Sequence, residues 1–284
     1  MDDLKVEYSQ KQKMLYSNLH KSFLKRLFLR IVISKTVTFL FSIYLRSCLS
    51  KIHIKKVIRK NNMNLKLFTK QKFSSYNDFF IRQFKKISFC NDSSIFISPG
   101  EGRLMILPIQ KNSIYSIKEV NYHLNDLLQN DKLASMFTEG YLLIIRLTPL
   151  NYHRYIFIDD GFQKKENSVK IKGKLHIVNP IAFKYFNVWQ ENSREYNILE
   201  TKNFGTIVQM EIGALLIGKI NNHPITNFNK AQEKGFFSFG GSTIILFIQK
   251  NKVIFDKIFL ENSLQNKETP INLGEHLGSK VDLN

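Results

Sequence analysis

Along the second half of the chain, apolar residues fall in short runs broken by small and polar clusters. Runs at 95–98, 141–147, 155–158, 168–171, 206–220, 243–249 and 252–259 are rich in Ile, Val, Phe and Tyr. Groups of Asn, Gly, Asp and Lys separate them. This texture predicts β-strands, with turns at Asp159-Asp160-Gly161 and Asn221-Asn222. A helical period is confined mainly to 120–136 and 75–85. The first 90 residues differ. There Leu24, Leu27, Phe28, Ile31, Phe39 and Ile43 recur at three- and four-residue steps with basic residues between them, which predicts amphipathic helix. The expected fold is α+β: a helical N-terminal region, 1–90, followed by a mostly β body, 91–284.

Charge sharpens this division. The chain of 284 residues carries a formal net charge of +19. Residues 1–90 hold 20 Lys and Arg against four acids, whereas the other 194 residues hold 22 against 19. A basic amphipathic helix with Leu and Phe on one side suits an anionic membrane surface, each Lys or Arg near the leaflet contributing about 1 kcal/mol. A helical hairpin packed on the protein's own body has the same pattern. Nucleic acid is not the expected partner, because no nucleic-acid motif accompanies the charge. The most apolar stretch, 36–45, covers about 15 Å as helix, half a hydrocarbon core, and Lys25, Arg26, Arg30 and Lys35 precede it. A spanning helix is not expected, nor a secretory signal. Cys48 and Cys90 suit free buried thiols in a reducing compartment.

Familiar site patterns are mostly missing. The sequence has no phosphate loop, no dinucleotide-binding glycine motif and no paired metal-ligand spacing, and its seven histidines are scattered. One segment is odd for a structural role: Gly240-Gly241-Ser242-Thr243 runs straight into an apolar strand. A Gly-Gly pair before a strand is ordinarily a turn. The same pair also lets a group approach a main-chain carbonyl closely, and a serine hydroxyl beside that carbonyl can attack it if a base takes its proton. Spacing leaves both readings open.

Several segments together resemble one family, the phosphatidylserine decarboxylases, and in particular their clostridial-type bacterial branch. The first are Asn77-Asp78-Phe79-Phe80-Ile81-Arg82, Ser98-Pro99-Gly100-Glu101 and Leu147-Thr148-Pro149-Leu150-Asn151-Tyr152-His153-Arg154. Leu175-His176-Ile177-Val178-Asn179-Pro180-Ile181 and Glu191-Asn192-Ser193-Arg194-Glu195-Tyr196 follow. Asn203-Phe204-Gly205, Gln209-Met210-Glu211-Ile212-Gly213-Ala214 and Gly218-Lys219-Ile220 come next, before Gly240-Gly241-Ser242-Thr243 and Gly274-Glu275-His276-Leu277-Gly278. They cover roughly 70–280 in order. Each alone is weak, and the ordered series is strong.

The resemblance implies a self-processing proenzyme that converts phosphatidylserine to phosphatidylethanolamine. Ser242 would attack the Gly241 carbonyl, and elimination and hydrolysis would leave chains 1–241 and 242–284 as a heterodimer, the second capped by a pyruvoyl group. That ketone would join the substrate amine and take up electrons as carbon dioxide leaves. His153 matches the histidine that protonates the resulting carbon, and Glu101 stands at the aspartate of the processing triad. The resemblance also suggests two sheet or barrel-like layers with the cut near their junction, peripheral attachment to the cytoplasmic face of a membrane, and no metal.

Three positions depart from the family pattern. Glu101 is one methylene longer than aspartate, Ile156 stands where the triad has a second histidine, and Asn151 replaces the aspartate before Tyr152-His153-Arg154. His153, His176 and Glu101 are the candidates for the missing base. Two function classes therefore remain: the active decarboxylase, and a processing-deficient, non-catalytic lipid-surface relative of the same fold.

Overall fold

The computed structural model describes residues 23–32, 34–112, 114–117, 120–164, 166, 168–174, 176, 188–214, 219–238 and 242–281. Helices α1 (Phe23–Val32), α2 (Lys35–Arg46) and α3 (Ile52–Lys60) open the chain, and α4 (Tyr76–Phe80) follows a looped stretch. Strands β1 (Ile95–Ile97), β2 (Gly102–Pro108), β3 (Ile114–Ile117) and β4 (Val120–His123) precede helices α5 (Leu124–Leu128) and α6 (Asp131–Ser135). Then come β5 (Tyr141–Leu147), β6 (Arg154–Ile156), β7 (Gly161–Phe162), β8 (Ser168–Ile171), helix α7 (Val188–Glu191), β9 (Arg194–Thr201) and β10 (Gly205–Ile212). The chain continues with β11 (Lys219–Asn222), β12 (Asn227–Phe228), β13 (Glu233–Ser238), β14 (Ser242–Ile248), β15 (Val253–Phe255), helix α8 (Lys257–Leu264), β16 (Thr269–Ile271) and β17 (His276–Lys280).

The expected α+β class holds, and the sheets are antiparallel and open. The largest sheet runs β12-β7-β9-β10-β14-β5-β2-β16, with β8 also on β9. A three-stranded sheet, β11-β13-β6, covers one face, and β1-β17-β15 forms a further small sheet. Alternation along β14 explains the layering. Ile244, Leu246 and Ile248 pack with Tyr155, Phe157 and Phe237 toward the small sheets. Ile245 and Phe247 pack on the opposite face with Leu124, Leu127, Leu133 and Phe137 from α5, α6 and the turn after them. A strand buried on both faces must be apolar throughout, which is why 243–249 reads as a continuous run.

The N-terminal helices are anchored at one end. Ser34 caps α2 by accepting from the Val37 N–H, and Leu45 and Ile54 pack with Tyr76, Phe79 and Phe80 of α4. The amphipathic positions singled out in the sequence, Leu24, Leu27, Phe28, Ile31, Phe39 and Ile43, are all exposed, so among the described residues nothing covers this face. No described helix is long and apolar enough to cross a membrane. Further on, Phe68 and Phe84 stack at 4.8 Å and join the body's core.

Several local expectations need correction. The helix expected over 120–136 begins as strand β4, which pairs with β3, and becomes helical only at Leu124. The run 206–220 is two strands separated at Gly213 and Ala214, and Asn221-Asn222 is no turn but the end of β11, paired with Phe236 and Gly235. The run 252–259 is a three-residue strand followed by α8. The helix over 75–85 shortens to α4. Cys48 and Cys90 are free, as expected, but exposed rather than buried.

Candidate active site

Ser242 is the first residue of β14, where the chain passes from the three-stranded sheet, which ends at Ser238, into the largest one. It is fully buried and stands opposite Leu147 of β5. Its Oγ finds no hydrogen-bond partner among the described residues, and neither does the neighbouring Thr243 hydroxyl. A buried hydroxyl without a partner costs about 1–3 kcal/mol. Such a group in a strand otherwise made of Ile, Leu and Phe points to chemistry rather than packing. Gly241 lies outside the described residues, as do Gly240 and the segment 177–187.

The turn at 98–102 brings the second expected residue to this corner. Ser98 Oγ donates to Gly100 O at 2.6 Å, and Pro99 O accepts from the Ile156 N–H at 2.9 Å, tying the turn to β6. On the other side, a Cβ at Gly100 would lie 2.7 Å from the end of the Ile244 side chain, so glycine lets the turn close onto β14 without displacing it. Glu101 sits between these two clamps. Its Oε1 accepts from Asn151 Nδ2 at 2.8 Å, while Asn151 Oδ1 accepts from the Thr148 N–H and hydroxyl.

Two of the departures from the family pattern thus meet each other. An aspartate at 151 would set its charge against the Glu101 carboxylate, whereas the asparagine amide donates to it. Arg82 lies close by. Its guanidinium donates to Leu150 O and Asn151 O, packs over Phe68 and Phe79, and attracts Glu101; burial pushes its pKa down, and Glu101 opposes that.

His153 is fully buried on the segment leading into β6. Its ring lies 3.8 Å from the Phe80 ring, and its carbonyl accepts from the Phe237 N–H of β13. Arg154 holds the same segment from the other side: Nε donates to Ile81 O, and NH1 meets Glu233 at 2.7 Å. The structure thus brings the turn that carries Glu101 against β14, the strand that carries Ser242, and holds His153 two residues after Asn151, the partner of Glu101. Glu101 is bonded to Asn151 rather than to Ser242. Ile156, at the second-histidine position, is apolar core.

His176, another candidate base, is buried, and Asn192 clamps its main chain. Asn192 Oδ1 accepts from the His176 N–H at 2.8 Å, and Nδ2 donates to His176 O and Gly213 O. Its Nε2 lies 3.4 Å from Glu191, but burial pushes the imidazole pKa down, the carboxylate only partly opposing it. Asn192 and Glu211 stood in the sequence only as members of motifs, without a role, and Lys234 was not singled out. Polar residues at 209 and 211, alternating with Val208, Met210 and Ile212, were the available signal: one face of a buried strand carries amide and carboxylate.

The family model for phosphatidylserine decarboxylase matches residues 76–279. Among curated relatives, phosphatidylserine decarboxylase proenzyme 2 of Clostridium acetobutylicum is 38% identical over 291 residues, 99% of this chain and 97% of that protein. The phosphatidylserine decarboxylase proenzymes of Clostridium novyi and Clostridium tetani are each 40% identical, over 265 and 262 residues, 89% of this chain and 88% of theirs.

Proposed function

The chain belongs to the phosphatidylserine decarboxylase family, and on that premise we propose that it is a proenzyme that cuts itself between Gly241 and Ser242 and converts phosphatidylserine to phosphatidylethanolamine. The observation that carries this reading is the Ser242 hydroxyl: buried, without a partner among the described residues, and at the point where the chain crosses between sheets.

In self-cleavage, Ser242 Oγ attacks the Gly241 carbonyl carbon. The C–N bond breaks as the C–O bond forms, the nitrogen takes a proton, and an ester replaces the amide. Loss of the Ser242 Cα proton then expels the Gly241 carboxylate, and water replaces the remaining nitrogen, which leaves as ammonia. Glu101, fixed by Asn151 and the 98–102 turn, supplies negative charge beside this corner.

Ser242 suits such a product because its Cα and Cβ already lie in a buried, polar-ended strand position. The pyruvoyl ketone supplies an electron sink for the carbon that loses carbon dioxide. His153 holds a proton on its ring and delivers it to that carbon, a role suited to an imidazole near neutrality. Burial against Phe80 keeps water from competing. The chains 1–241 and 242–284 stay together as a heterodimer, since β14 is paired with β10 and β5 on either side along its length.

The basic region 1–90 docks on the anionic, cytoplasmic face of a membrane as a peripheral anchor. Exposed Phe23, Leu24, Phe39, Leu40, Leu49 and Ile52 provide the apolar contact. The test is intact mass and a denaturing gel of the purified chain and of Ser242→Ala. Wild type should give two chains, the short one blocked at its N-terminus, and should form phosphatidylethanolamine in anionic vesicles. Ser242→Ala should stay whole and inactive, and a Ser242→Ala chain that still splits at Gly241 would refute the reading.

A further inference from the structure

Glu211 and Lys234 are fully buried beside this corner and have so far been given no task. Lys234 Nζ, on β13, donates to Glu211 Oε1 at 2.9 Å, Asn197 Oδ1 at 2.9 Å and Asn222 Oδ1 at 2.8 Å. An ammonium has three protons, and all three are used, so Lys234 is held as a cation. Glu211 Oε2, by contrast, accepts a long bond of 3.3 Å from Asn222 Nδ2, and the Gln209 amide two residues back also favours the ionised carboxylate. A carboxylate has about four acceptor positions, so this oxygen keeps lone pairs to spare. Burial pushes the Glu211 pKa up and the Lys234 pKa down, and each charge opposes the other's shift. Two apolar residues of similar volume are often as stable as a buried ion pair, or more so. Stability alone therefore does not account for this one.

Register shows where the spare oxygen lies. Glu211 of β10 pairs with Ile244 of β14, and Ile212 with Thr243. One further step places Gly213 opposite Ser242. Side chains at 211 and 242 thus leave the same face of the sheet at diagonal positions, with Cα atoms about 7–8 Å apart. Gly213, directly across from Ser242, has no side chain. Ser242 Oγ, without a partner among the described residues, and Glu211 Oε2 thus flank one another diagonally, at a separation that one water can bridge. Of the three candidates named from the sequence, His153 lies against Phe80, Glu101 Oε1 takes the Asn151 amide, and the His176 ring lies against Glu191.

We propose that Glu211, kept ionised by Lys234, is the base that takes the Ser242 hydroxyl proton through one bridging water during self-cleavage. The Ser242 O–H bond breaks and its electron pair forms the bond to the Gly241 carbonyl carbon. The proton passes through the water to Glu211 Oε2 and returns to the departing Ser242 nitrogen as the C–N bond breaks. This deepens the self-processing reading and rests on it, and it fills the place that Ile156 leaves empty.

The experiment follows self-cleavage of the full chain by gel and intact mass, with thermal melts to report folding. Glu211→Met/Lys234→Met removes both charges together, so neither is left unpaired. It is expected to melt cooperatively and to cleave at least about 100-fold more slowly than wild type, the loss typical of a missing general base. Adding Ile156→His to that variant should restore cleavage to within about tenfold. Glu211→Gln, read the same way, decides the matter should the double variant melt early. A folded variant that cleaves at the wild-type rate, or one that Ile156→His leaves slow, overturns the proposal alone. A wild-type chain that never cleaves overturns the self-processing reading and this one with it.

Discussion

Helices α1 and α2 and strand β14 are built from the same kinds of apolar side chain and dispose of them in opposite ways. In β14, every residue from Ser242 to Ile248 is buried, and neighbours on both sides complete the ladder. In α1 and α2, Phe23, Leu24, Phe28, Phe39 and Leu40 are more than half exposed. A single exposed Leu needs no explanation, but a series on two adjacent basic helices marks a surface that awaits something apolar. The difference teaches where each region's free energy is realised. The strand stabilises the fold and carries the proposed nucleophile, while the helices leave their apolar area uncovered, as the proposed docking on a membrane requires.

Deleting the same atoms in both regions gives the largest contrast. Leu246→Ala should cost about 2–5 kcal/mol in denaturant unfolding, because it leaves a cavity between two filled layers. Leu40→Ala should change stability by less than about 0.5 kcal/mol. Equal losses would mean that α2 is packed in solution, and the contrast would fail. Next, Phe39→Glu/Leu40→Glu/Leu49→Glu should weaken sedimentation with anionic vesicles by at least about 100-fold, since each exposed side chain offers about 1.5–3 kcal/mol on burial. Self-cleavage should be unaffected. Wild-type binding should also weaken as salt rises.

Inside the body, Asn151→Asp should slow self-cleavage about tenfold, roughly 1.4 kcal/mol, by replacing the amide that donates to Glu101 with a second carboxylate. An unchanged time course would show that processing does not sense Glu101. The smallest effect concerns His176, whose imidazole burial holds below its ordinary pKa. The unfolded chain then takes up the proton first as pH falls through about 6.5, so stability is full above that value and declines below it. His176→Asn should flatten that part of the melting profile; an identical slope would assign it to other groups.

The site was legible where chemistry restricts residue type over a few adjacent positions. Ser242 after two glycines, His153 between Tyr152 and Arg154, and the 98–101 turn could all be picked out, because each depends on a local conformation. The errors in the fold arose where one pattern serves two structures. Val120–His123 carries residues that suit either a helix start or a strand, and pairing with Ile114–Ile117 decided it. Asn221-Asn222 looked like a turn because asparagine favours turns, yet Asn221 reaches Ser238 and Asn222 the buried Lys234 across the sheet.

The order of amino acids was enough to divide a basic, amphipathic beginning from a β-rich remainder and to single out the serine, since period, charge and short motifs are properties of neighbours along the chain. Folding alone set Glu211 diagonally from Ser242, gave Lys234 its three acceptors and turned the Asn151 amide toward Glu101. Those meetings join strands far apart in sequence, and their register comes from filling two cores at once, which no local window contains.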